Sequence, residues 1–180
     1  MSIETLAFPL RRDLPSVQRV TTRDFEATLR HAETADMPYL RDLYAASRAA
    51  ELAGIAWPEE VKRAFLDSQF DMQHRHYTAN YASADFLMVI RNEQPCGRLY
   101  LHESSTELCI VDILLDDAVR GHGLGTALLH WMQTSVKQKG LHAIQLHVDL
   151  RNEAAHRLYR RLGFIDGDIH GAHQRMSWHH

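Results

Sequence analysis

The chain has 180 residues, 45% of them hydrophobic and 24% charged, which suits one globular domain and excludes a disordered, collagen-like or disulfide-framework protein. Its net charge of −3 argues against bulk nucleic-acid binding. The longest unbroken apolar run, residues 86–90, falls far short of the roughly 18–20 residues a membrane helix needs, so no membrane partner is expected.

Residues 1–24 lack periodicity and contain Pro9 and Pro15 as breakers, so they read as an N-terminal arm ahead of a single domain spanning 25–180. Arg11, Arg12, Arg19 and Arg23 precede no apolar stretch of the kind a secretory signal needs. Cys96 and Cys109 have no metal or redox spacing; they read as small core residues of a cytoplasmic protein. A weak alternation over 25–31 predicts a first strand, and Thr34-Ala-Asp36 opens a helix with Met37, Leu40, Leu43 and Tyr44 at helical spacing. A second helix starts after Trp57-Pro58, with Glu59 and Glu60 favoured by the dipole in its first turn. Val61, Phe65, Leu66, Phe70 and Tyr77 are expected on its buried face.

The period then changes. Segments 86–90, 97–102 and 108–115 are short, rich in β-formers and bounded by turn residues, which predicts a three-strand antiparallel meander. A glycine-rich turn follows, then a helix over 124–139 stopped by Gly140, a strand over 143–149, a helix over 152–162 closed by Gly163, and a final hairpin. The result is a mixed α/β order with one parallel crossover around the third helix.

Charge is unevenly spread. Residues 120–163 carry seven basic and two acidic side chains, a net of +5, leaving −8 for the remainder. A basic third on an acidic chain suggests an anionic ligand there, although two solvated Lys/Arg helix faces give the same count. Within this third, Arg120-Gly-His-Gly-Leu-Gly125 joins a strand to a helix start. Glycines let backbone N–H groups converge without Cβ obstruction, and the helix start adds partial positive charge, which makes a cradle for phosphate. No Gly-Lys-Ser/Thr follows, so the turn is not a P-loop, and its spacing also misses the dinucleotide-binding GxGxxG. About 30 residues on, Asn152 opens a helix as N-cap, and Tyr159 returns to the same face two turns later.

Together these residues resemble the GNAT acyltransferase superfamily over about residues 28–178. Arg120, Gly123 and Gly125 match its Arg/Gln-x-x-Gly-x-Gly/Ala signature. Asn152, Ala155, Leu158, Tyr159, Gly163 and Phe164 match its Asn-x-x-Ala-x-x-Leu-Tyr…Gly-Phe motif. The resemblance implies a mixed, mostly antiparallel central sheet of about seven strands with about four helices, splayed between the fourth and fifth strands to admit acetyl-CoA. Main-chain groups of Ile113, Leu114 and Leu115 would then take the pantetheine arm as an added strand. Arg120, Gly121, His122, Gly123, Leu124, Gly125 and Thr126 would surround the pyrophosphate, with Asn152 reaching in from the other side.

The reaction so implied is acetyl transfer to a primary amine of a small acceptor by direct attack in a ternary complex. The rival reading is a catalytically silent acyl-CoA sensor. Tyr159 resembles the family's general acid for the departing thiolate. The base has no fixed position in the family. Asp112, expected to share a face with Ile110 and Leu114, is the first candidate, with Glu103, Glu107, His102 and His147 as others. Gln73, His76 and Tyr77 would line the acceptor pocket, and the acidic remainder favours a cationic acceptor. The short His74/His76 and His170/His173 spacings lack a third ligand type, so no metal is expected. The resemblance leaves a homodimer open.

Overall fold

The computed structural model describes residues 6–9, 17–21 and 26–180. Eight strands form one sheet: β1 (Val17–Thr21), β2 (Glu26–His31), β3 (Asp85–Arg91), β4 (Gln94–Glu103), β5 (Glu107–Leu115), β6 (Ala143–Asp149), β7 (Ile165–His170) and β8 (His173–His179). They lie in the order β1-β2-β3-β4-β5-β6-β8-β7. Every neighbouring pair is antiparallel except β5 and β6.

Four helices cover the two faces: α1 (Met37–Leu52), α2 (Glu59–Asn80), α3 (Leu124–Lys139) and α4 (Glu153–Arg161). Each boundary has a local cause. Pro58 precedes α2, Gly123 and Gly140 close the ends of α3 in left-handed conformations, and Asn152 caps α4. One core, built on Leu99, Leu128, Leu129, Met132 and Ile144, lies beneath α3 and α4. A second, built on Leu40, Phe70, Met88 and Tyr100, lies beneath α1 and α2.

The sheet has eight strands rather than seven because Val17–Thr21, placed by the sequence reading in the arm, pairs along its whole length with β2. Only Val20 of this strand is buried, so it carries little hydrophobic signal. Leu6 and Phe8 also dock on the second core; Phe8 meets His74 edge-on, and His74 Nε2 donates to the Ala7 carbonyl at 3.1 Å. The remainder of the expected arm, including Pro15, lies outside the described residues. The splay consequently falls between the fifth and sixth strands.

On α2, Leu66 and Phe70 face the core and Tyr77 is half-buried against it, but Val61 and Phe65 are 44% and 39% exposed. At 100° per residue these two lie almost opposite Phe70, so one helix cannot bury both sets.

Candidate active site

Parallel pairing of β5 with β6 runs from Glu107↔Ala143 to Ile110↔Leu146 and stops. Beyond it β5 continues along β4 to Leu115, and β6 continues along β8 to Asp149. The facing edges of residues 111–115 and 147–149 have no ladder pairing to each other. A V-shaped gap of this kind offers main-chain groups to an extended ligand.

At the Leu115 end of the gap, β5 runs into the glycine-rich turn. Gly121 and Gly123 have φ of 77° and 88°, and a Cβ on either would meet nothing within 4 Å. Backbone sign, not crowding, therefore demands glycine at both. Gly125 serves differently, since its Cβ would stand 3.4 Å from Leu158 Cδ2, where α3 packs on α4. The first N–H groups of α3 have no partner within the helix and open onto this turn. Arg120 points back into the turn: its Nε donates to the Leu115 carbonyl at 2.9 Å and its Nη1 pairs with Asp117 at 2.5 Å. It braces the loop, and the Leu115 carbonyl is no longer free for a ligand. Beside the turn, Arg19, Thr21, His122, Thr126, His130 and Trp131 border a concavity of about 520 Å³. Arg19 and Thr21 belong to the strand the sequence reading did not anticipate. A smaller cavity of about 210 Å³ lies under the far end of α3, among Leu29, Leu108 and Leu141, away from the gap.

Replacing Gly123 with valine should abolish the cradle while leaving the core untouched, because a β-branched residue is strained at φ 88°. Calorimetry with coenzyme A should then show a loss of affinity of about ten-fold or more, the effect of losing a few kcal/mol of phosphate contacts. Unchanged affinity in a folded variant would separate the turn from phosphate binding.

Across the gap, Asn152 Oδ1 accepts from the Ala155 N–H at 3.1 Å, so this exposed side chain is occupied as a helix cap and keeps only its amide N–H groups for a ligand. Two turns on, Tyr159 is 7% exposed and packs on Phe164 at 5.6 Å between ring centroids. Burial, reinforced by the charge of Asp112, pushes its phenol up to about 12.

The opposite face of β4 and β5 holds a feature the sequence reading missed. Arg98, 2% exposed, donates from Nε to Asp112 Oδ2 at 2.5 Å and from Nη2 to Gln73 Oε1 at 2.7 Å, and lies over the Tyr100 ring at 5.3 Å. A buried guanidinium is costly without a counter-charge, and Asp112 supplies it. The signal was legible, as a lone arginine within an otherwise apolar strand. The register also corrects the expected face of Asp112. A β-bulge sets Tyr100 opposite Asp112 but Leu101 opposite Ile110, leaving Val111 as the extra residue. Side-chain parity reverses there, so Asp112 lies with Arg98 and Tyr100, not with Ile110.

Gln73, Tyr77 and Asp112 thus come together, Tyr77 meeting Tyr100 edge-on at 6.0 Å. Burial, with the Asp112 charge, raises the Tyr77 phenol well above its ordinary range. His76 does not join them; it is exposed and its Nδ1 lies 3.2 Å from Asn80 Nδ2. The other proposed bases are engaged elsewhere. Lys139 pairs with Glu103, Gln145 Nε2 donates to Glu107 at 2.7 Å, and His102 lies 3.3 Å from Ser83 Oγ. His147 is exposed and held low by partial burial and by His170, His173 and Arg175. Tyr39 donates to Asp116 at 2.8 Å. With Asp117 on Arg120, all five carboxylates expected to attract a cation have partners, and that preference loses its basis. Among the described residues no group of three or more His, Cys, Asp or Glu could hold a metal ion, and no helix is long and apolar enough to cross a membrane.

Residues 39–164 match a family model described as the acetyltransferase (GNAT) family. A mycothiol acetyltransferase of Brachybacterium faecium is 26% identical over 168 residues, covering 86% of this chain and 47% of that protein. Another, from Paenarthrobacter aurescens, is 39% identical over 67 residues, 37% of this chain and 20% of that protein. The chain spans less than half the length of these curated relatives. In three dimensions it is similar to the PaiA N-acetyltransferase of Thermoplasma acidophilum in complex with coenzyme A, with TM-score 0.64 and 19% identity over 86% of this chain and 99% of that one. Mycobacterium smegmatis RimJ in complex with CoA-disulfide has TM-score 0.62 and 14% identity over 91% of this chain and 86% of that one.

Proposed function

Because the chain belongs to the acetyltransferase (GNAT) family, we propose that it moves the acetyl group of acetyl-CoA to a primary amine of a small acceptor, by direct attack in a ternary complex. The observation that carries this reading is the opening of β5 from β6 directly beside an uncapped, glycine-lined helix start. The gap suits an extended arm and the helix start suits a pyrophosphate, so one ligand with both parts spans them.

In this reading the amides of residues 121–126 hold the pyrophosphate, Arg120 keeps that turn in shape, and the free edge of Ile113 and Leu114 orients the pantetheine arm. An amine is a cation at neutral pH and must lose a proton before attack. Asp112, held on the acceptor side by Arg98, takes that proton, and Gln73 and Tyr77 flank the incoming amine. As the nitrogen–carbon bond forms, a main-chain N–H of the open edge stabilises the oxyanion. The carbon–sulfur bond then breaks and Tyr159 donates its phenolic proton to the sulfur.

A thiol-release assay with a panel of primary amines tests the reading. Release of coenzyme A that depends on at least one amine is expected. Tight coenzyme A binding with no turnover on any amine would favour the silent sensor instead.

A further inference from the structure

One face of α2 is apolar for most of its length yet lies open. Val61, Phe65 and Met72 fall on a single helical stripe with Ser68 between them, and are 44%, 39% and 54% exposed. Trp57, 42% exposed, stands just ahead of the helix with its ring 5.7 Å from that of Phe65. The charges along the helix complete the pattern. Lys62 pairs with Glu59, Arg63 with Asp42 and Asp67, and Asp71 with Arg41. Among the described residues, Glu60 and Arg75 are the Asp, Glu, Lys or Arg side chains of α2 left without an ion pair. They stand near opposite ends of the stripe, about 22 Å apart along the axis.

This arrangement complements itself. If a second copy of α2 crosses antiparallel at Ser68, Phe65 of each copy falls opposite Met72 of the other. Glu60 of each falls near Arg75 of the other, and Trp57 near Ala79. Every contact is made twice, as an isologous two-fold interface requires, and the small serine at the crossing lets the backbones approach. We infer that the outer face of α2 is a self-association surface and that its occupant is a second copy of this chain. A helix of 22 residues gives a contact about 33 Å long and one helix wide, at the low end of specific interfaces, so association is concentration-dependent. The inference is independent of the catalytic reading, although the inner side of the same helix carries Gln73 and Tyr77.

Sedimentation velocity on the full chain, from micromolar to millimolar concentration, is the test. A monomer–dimer equilibrium is expected, and Phe65→Glu or Met72→Glu should weaken it by about ten-fold or more. Glu60→Arg and Arg75→Glu should each weaken it, and the two together should restore it. All four positions are exposed, and circular dichroism will verify that each variant is folded. A chain that stays monomeric throughout, or a dimer that both Phe65→Glu and Met72→Glu leave intact, overturns the inference.

Discussion

Replacing Tyr159 with phenylalanine should lower kcat by about 10²–10⁴-fold, the usual cost of losing a general acid, with acetyl-CoA affinity nearly unchanged. The ring is buried against Phe164, and phenylalanine preserves that packing, so the melting temperature should move little. Burial raises the phenol to about 12, so it stays protonated across the neutral range, as a proton donor must. Any alkaline loss of activity well below pH 10 should therefore have another origin and persist in the variant. The stability contribution has the same direction: the folded phenol holds its proton more tightly than the unfolded one. It is fully present below about pH 10 and is lost as pH rises towards 12. Single-turnover kinetics decide the matter, and a phenylalanine variant with wild-type chemistry would assign Tyr159 to the core alone.

The second large effect should come from Asp112→Asn. The amide can still accept from Arg98, but the guanidinium, 2% exposed, is left without its counter-charge, which should cost about 3 kcal/mol of stability or more. Turnover should fall by a further, separable factor of about 10²–10⁴ at neutral pH. That defect should shrink at high pH, where a growing fraction of the acceptor is already deprotonated. The double variant Arg98→Met/Asp112→Leu separates the two roles, since replacing a buried ion pair by apolar side chains is often neutral. It should recover most of the stability and none of the activity. Wild-type turnover by Asp112→Asn would remove Asp112 from proton transfer.

Elements with strong local determinants were legible in the sequence. Pro58 with Glu59 and Glu60 marked the start of α2, Gly140 the end of α3, and Asn152 the cap of α4, because each acts through the backbone of its own turn. Features that depend on strand register were not. The bulge at Val111 turns Asp112 to the opposite face, and no periodicity over 108–115 reveals it, since both faces of β5 are apolar. The strand Val17–Thr21 was missed because a short edge strand with one buried side chain has no pattern to detect. The ambiguity on α2 had a third source. Its outer stripe is as apolar as its inner one, so hydrophobicity could not tell the solvent side from the core.

The junction of β5 and β6 gives the molecule a mechanical character of its own. Five consecutive strands, β1 to β5, form one ribbon and β6, β8 and β7 another, and only four residue pairs join them. Antiparallel neighbours such as β6 and β8 are fastened over their full length, so thermal opening concentrates at this seam. A molecule lying along the gap touches both ribbons and completes the sheet as a rivet would. Loading the enzyme with its donor therefore fastens the weakest line of the fold, and departure of the spent carrier releases it.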